Sequence, residues 1–219
     1  MSGPTLVIGS KNYSSWSLRP WLLLRQFDVP FAEVKLPLDT PEFYARIGDY
    51  TPSGRVPVLL DGDVHVWDSL AIAEYANERF LDGRGWPRAS AARAQARAVS
   101  AEMHSGFSAL RTALPMNCRK RVRNHMLNPD AARDVARVKT IWREANQTFG
   151  GGGPFLYGEF GIADAMYAPV VLRFVSYDVA LEPFEQAYVD TILGLAPLRE
   201  WLRETETEPV AVLHEKDTP

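Results

Sequence analysis

Apolar residues follow two rhythms along this chain, and the change falls near residue 82. Before it, short apolar runs alternate with amphipathic stretches; after about residue 88, spacings of three and four dominate. Thr5 to Gly9 reads as a buried strand, Leu18 to Phe27 as a helix, and Phe31 to Leu36, apolar at alternate positions, as a second strand. Pro41 to Ile47 reads as a short helix that Thr40 caps, with proline at its first position. Val56 to Leu60 and Val64 to Trp67 read as two strands joined through Asp61-Gly62, a hairpin signal. Asp68-Ser69 opens a helix to about Phe80, so the order is β, α, β, α, β, β, α.

The breaker-rich stretch Asp82 to Pro87 predicts a linker. The expected organisation is therefore an α/β unit over residues 1–82, a linker over 83–88 and an all-helical unit over 89–219. In the second unit, Ala89 to Leu114 predicts one long helix stopped near Pro115, and Pro129 to Phe149 a second. Ile162 to Tyr177, Pro183 to Leu193 and Leu198 to Glu204 predict three more. The glycine run Gly150 to Gly153 has no Gly-Lys-Ser/Thr after it, so it is a flexible connection and not a phosphate loop. The charged tail from Thr205 is expected to be poorly ordered at its end.

Composition narrows the function classes. With 219 residues, 46% of them hydrophobic and 23% charged, the chain has the makeup of an ordinary globular protein with a substantial core. A net charge of −3 argues against nucleic acid or an anionic membrane as partner, and the basic stretch Arg119 to Arg123 reads as a solvated face. No run approaches a membrane span, and Met1-Ser2-Gly3-Pro4 lacks signal-peptide character, so a cytoplasmic location is expected. The single cysteine, Cys118, excludes an internal disulfide and a multi-cysteine metal site. His65, His104, His125 and His214 lack ligand spacing, and no metal site is expected.

Three places could carry chemistry. Ser14, Ser15 and Ser17 lie where a strand passes into a helix, and hydroxyls there either cap the helix or hold an anion. In Ser53-Gly54-Arg55-Val56-Pro57, proline sits at the mouth of a strand, and a cis Val56–Pro57 bond is one way to place it. Such a loop leaves the backbone of Val56 free to pair with an extended peptide. Asp68 and Ser69 then put a carboxylate and a hydroxyl at another helix start, suited to the amine and carboxylate of a small zwitterion.

With Phe160-Gly161-Ile162-Ala163-Asp164 in the helical half, these motifs resemble the glutathione S-transferase family over nearly the whole chain, in the order the family has them. The likeness is to serine-using, bacterial-type members and to the zeta and tau classes. It implies a thioredoxin-like α/β domain followed by an all-α domain, glutathione as co-substrate, and a homodimer. The implied activity is transfer of the glutathione thiol to a small apolar electrophile, a detoxification chemistry. On this resemblance Ser14 assists the thiol with Ser15 as second donor, while Ser15 and Ser17 keep the capping role that hydroxyls take at a helix start. Val56, at Pro57, pairs with the cysteinyl unit, Asp68 and Ser69 hold the γ-glutamyl end, and Arg55 lies near the glycyl carboxylate. Tyr13 competes with Ser14, since other classes use a tyrosine.

Two residues depart from the family pattern. Zeta-class members, among them maleylacetoacetate isomerases, have cysteine where this chain has Trp16, and the family usually has Ser or Thr where Gly161 stands. The electrophile is expected against Met103, Phe107, Leu110 and Leu114, with His104 and Arg111 of the same long helix at the cleft. Two alternatives stand beside the transferase: a non-catalytic binding protein of the same fold, and a glutathione-dependent isomerase, peroxidase or dehalogenase.

Overall fold

The computed structural model describes residues 3–209. Four strands, β1 (Thr5–Ile8), β2 (Ala32–Lys35), β3 (Val58–Asp61) and β4 (Val64–Trp67), form one mixed sheet in the order β2-β1-β3-β4. β1 runs parallel to β2 and antiparallel to β3, and Val7 faces Val34 on one side and Val58 on the other. Strand alternation divides the sheet's side chains between two cores. Leu6, Ile8 and Leu59 enter the main core, whereas Val7 and Val58 pack with Phe43 and Ile47 on the opposite face.

Helices α1 (Ser15–Gln26), α2 (Pro41–Arg46) and α3 (Ser69–Arg79) complete this part. Thr40 caps α2 as its sequence predicts, its hydroxyl accepting the Phe43 N–H at 3.2 Å. The remaining helices are α4 (Ser90–Ser105), α5 (Ser108–Ala113), α6 (Pro129–Phe149), α7 (Ile162–Ser176), α8 (Pro183–Gly194) and α9 (Ala196–Glu206). α7 is apolar and buried almost throughout, and α1 and α4 pack on it, so this helix ties the two parts together. No helix among the described residues is long and apolar enough to cross a membrane.

Two details differ from the sequence pattern. The hairpin turns at Gly62-Asp63, because Asp61 still pairs with Val64, and Gly62 takes the positive φ of 61°. The long helix expected up to Leu114 breaks at Gly106-Phe107, where Phe107 has a φ of 59°. Distant groups hold that break: Asp134 accepts the Leu110 N–H at 3.0 Å, and Arg111 donates to the carbonyls of Gly106 and Met103. His104 and Arg111 therefore sit on separate helices.

The tail is anchored where it leaves α9. The buried Glu208 carboxylate accepts the backbone N–H groups of Lys11 and Asn12, both at 2.8 Å, and so fixes the turn from β1 into α1. Its end, residues 210–219 including His214, lies outside the described residues, as do Met1 and Ser2.

Candidate active site

α3 starts on an unusual backbone. Asp68 has φ 78° and ψ 133°, outside the regions that suit an L-residue, and its Oδ1 accepts the N–H groups of Leu70 (2.8 Å) and Ala71 (3.3 Å). Such a backbone persists only where its surroundings hold it in place. Its Oδ2 lies 3.1 Å from His104 Nε2. Burial keeps the His104 pKa below its ordinary value, ahead of the opposing pull of Asp68, so the neutral ring donates to the carboxylate at pH 7.

Beside this helix start lies a cavity of about 260 Å³ lined by Trp16, Ser53, Arg55, Val56, Pro57, Trp67, Asp68 and Ser69. Arg55, Val56, Pro57, Asp68 and Ser69 thus converge from two segments, and the Val56–Pro57 bond is cis. Arg55 is exposed at the rim, while Ser69 is buried.

The start of α1 forms the neighbouring wall. Ser14 is the N-cap: its Oγ accepts the Ser17 N–H at 3.3 Å and donates to Ser17 Oγ at 2.7 Å. Ser17 Oγ in turn accepts the Gly9 N–H at 3.1 Å. Ser15 is the first helical residue, and its Oγ accepts from Arg173 Nη2 at 3.2 Å. The expectation that Ser15 and Ser17 cap the helix is corrected, because only the Ser14 hydroxyl reaches back to the free N–H of the first turn. Ser14 and Ser15 are both buried and do not line the cavity, which Trp16 reaches in their place.

Behind Trp16 three arginines gather. The Arg19 and Arg111 guanidinium carbons lie 4.4 and 4.9 Å from its ring centroid, and His104 meets the ring edge-on at 5.2 Å. Arg19 is fully buried; burial and then the charges of Arg111 and Arg173 hold its pKa down at about 9, and it remains charged at neutral pH. Its Nη1 donates to Ser69 Oγ at 3.3 Å, and its Nε has no partner among the described residues. Arg173 is held at about 10 by burial and then by Arg111, and donates to the Leu114 carbonyl as well as to Ser15.

Met103, Phe107, Leu110 and Leu114, the expected apolar wall, are all buried in the main core. His104 and Arg111, by contrast, do reach Trp16 at the cavity wall. Burial pushes the Cys118 thiol up to about 12, so it stays protonated and inert. No group of His, Cys, Asp or Glu among the described residues could hold a metal ion. Arg19 and Arg173 escaped the sequence reading. The signal for Arg173 was a lone cation in a helix that is apolar almost throughout.

Family models match both parts of the chain. The glutathione S-transferase N-terminal domain matches residues 13–79, and the C-terminal domain matches residues 128–204. A dichloromethane dehalogenase from Methylorubrum extorquens is 47% identical over 62 residues, which is 27% of this chain and 21% of that protein. A probable maleylacetoacetate isomerase from Caenorhabditis elegans is 32% identical over 108 residues, 49% of each chain. The chain thus matches about a fifth and about half of these relatives' lengths. A glutathione transferase homologue from Burkholderia, solved with bound glutathione, superposes with a TM-score of 0.71 at 19% identity, covering 94% of this chain and 99% of that one. At that identity the likeness shows a shared fold.

Proposed function

From the chain's membership of the glutathione S-transferase family, we propose that it binds glutathione in the cavity at the start of α3 and activates the thiol for attack on an electrophilic carbon. One observation carries this reading: the cavity gathers Arg55, Val56, Pro57, Asp68 and Ser69 on one surface beside the first turn of α1. A volume of about 260 Å³ is at the small end for a ligand pocket, which suits the γ-glutamyl-cysteinyl part of the tripeptide. Asp68 takes the α-amine, Ser69 the γ-glutamyl carboxylate, and the backbone of Val56 the cysteinyl unit, with Arg55 toward the glycyl end.

The chemistry needed is modest. A free thiol has a pKa of about 8.5, so only a few per cent is thiolate at pH 7. Lowering it by one to two units takes about 1.4 to 2.7 kcal/mol of preference for the anion. A serine hydroxyl at the start of α1, Ser14 or Ser15, supplies that preference together with the positive end of the helix. The thiol proton passes to solvent, the thiolate forms a carbon–sulfur bond, and the leaving group departs with the electrons of the broken bond. The stretch 47% identical to a dichloromethane dehalogenase favours a second reading, in which the leaving group is a halide.

The test is a glutathione titration that follows heat and thiolate absorbance. Saturable binding with a bound-thiol pKa at least one unit below that of free glutathione is expected, and Asp68→Asn should weaken binding about tenfold with little change in that pKa. A wild-type chain that does not bind glutathione would end this reading.

A further inference from the structure

α1 and α3 open on the same arrangement. Their first residues, Ser15 and Ser69, are buried serines, and each hydroxyl oxygen accepts an N–H from a buried arginine. Arg173 supplies the donor to Ser15 from α7, 158 residues away in sequence. Arg19, one turn into α1, supplies the donor to Ser69 on α3. With the oxygen engaged by a cation, the serine's own proton is polarised as a donor, and no described residue accepts it from either serine. Ser14 differs, since its proton is already given to Ser17 Oγ at 2.7 Å.

The electrostatics call for an occupant. No carboxylate of the described residues forms an ion pair with Arg19 or Arg173; buried Arg19 lies in the field of Arg111 and Arg173, which the pull of Asp68 only partly offsets, and buried Arg173 lies in that of Arg111. Arg111 and Arg173 find partial relief at the carbonyl ends of α4 and α5, a favourable place for a cation. Among the described residues Arg19 has its long bond to Ser69, the face of Trp16 and the more distant pull of Asp68, with Nε unpartnered. Burying unpaired like charges is costly, and an anion docked at the two helix starts offsets that cost.

We propose that Arg173 and Arg19 are positioning residues that make Ser15 and Ser69 the donors to two anionic groups of bound glutathione: Ser15 to the cysteinyl thiolate and Ser69 to the γ-glutamyl carboxylate. This rests on the glutathione reading above and divides its labour. Ser14 caps the helix, and the proton lost by the thiol goes to solvent while Ser15 and Arg173 keep theirs.

The experiment titrates glutathione into the full chain and reads two quantities separately, the dissociation constant and the pKa of the bound thiol. Ser15→Ala and Arg173→Gln should each raise that pKa by about one unit with less than about threefold change in affinity. Their double substitution should do no more than either alone, because Arg173 acts through Ser15. Arg19→Gln should weaken binding about tenfold and leave the thiol pKa in place. Ser14→Ala should lower the melting temperature without moving the thiol pKa. If Arg173→Gln does not fold, Ser15→Ala and Arg173→Lys carry the same comparison, with lysine restoring part of the shift. The proposal is overturned if Ser14→Ala raises the thiol pKa while Ser15→Ala does not, or if the two effects at Ser15 and Arg173 simply add. Wild-type chain that binds no glutathione overturns the underlying reading as well, so the two failures are distinct.

Discussion

Asp68 and Asp164 stand in the first turns of two helices, and their surroundings differ in every respect that matters. Asp164, in α7, is buried: its Oδ1 accepts the Leu156 N–H and the Tyr188 hydroxyl, both at 3.1 Å, and its Oδ2 accepts the Gly161 N–H at 3.0 Å. Burial lifts this carboxyl to about 6 against the pull of those donors. Asp68, at the start of α3, keeps 43% of its side chain exposed, holds the strained φ of 78° and faces a cavity. The same residue type in similar local roles is a closed staple in one place and an open contact in the other. A carboxylate whose every acceptor is engaged has nothing left for a ligand.

The largest expected effect sharpens this contrast from the staple side. Asp164→Ala strands the N–H groups of Leu156 and Gly161 in the interior, at about 1–3 kcal/mol each, so a loss of about 3 kcal/mol or more is expected in urea unfolding. Glutathione affinity of the protein that remains folded should change less than about twofold, since Asp164 does not line the 260 Å³ cavity. A loss under about 1 kcal/mol would mean that Asp164 is no more structural than Asp68.

The contrast also explains what the sequence disclosed and what it withheld. Local chemistry was legible: α6 starts at Pro129, Thr40 caps α2, and Arg55 to Pro57 with Asp68-Ser69 mark turn and cap positions that converge on one cavity. The break between α4 and α5 was not, because Asp134 and Arg111 impose it through bonds that no helix propensity anticipates. The division between Ser14 and Ser15 was hidden for the same reason, being decided by which hydroxyl meets an arginine from α7. Long-range partners of short polar side chains leave little trace in periodicity.

A middle-sized effect tests the neighbour of Asp164. The family pattern invites serine at Gly161, and a serine N-cap gains only a few tenths of a kcal/mol over glycine. Against that, a Cβ at residue 161 would lie 2.9 Å from the Gly85 carbonyl oxygen, which already accepts the Ile162 N–H at 2.9 Å. The close contact with backbone costs about 1–3 kcal/mol, so the steric term wins. Gly161→Ser should therefore lower stability by about 1 kcal/mol, read as a lower urea midpoint at unchanged slope. A rise in stability would show that the segment around Gly85 can yield.

The smallest stability effect belongs to Asp68→Gly, and it separates the two carboxylates most cleanly. Glycine in place of an aspartate cap loses only a few tenths of a kcal/mol, and it relieves a backbone that costs an L-residue about 1 kcal/mol at positive φ. The contact with His104 is part-exposed and adds little. Stability should thus stay within about 0.5 kcal/mol of the parent. Glutathione binding, measured by calorimetry, should nonetheless fall about tenfold or more, because the amine of the ligand loses its counter-charge. An unfolding midpoint that drops as steeply as in Asp164→Ala would make Asp68 a second staple, its strained backbone then sustaining the fold and not the site.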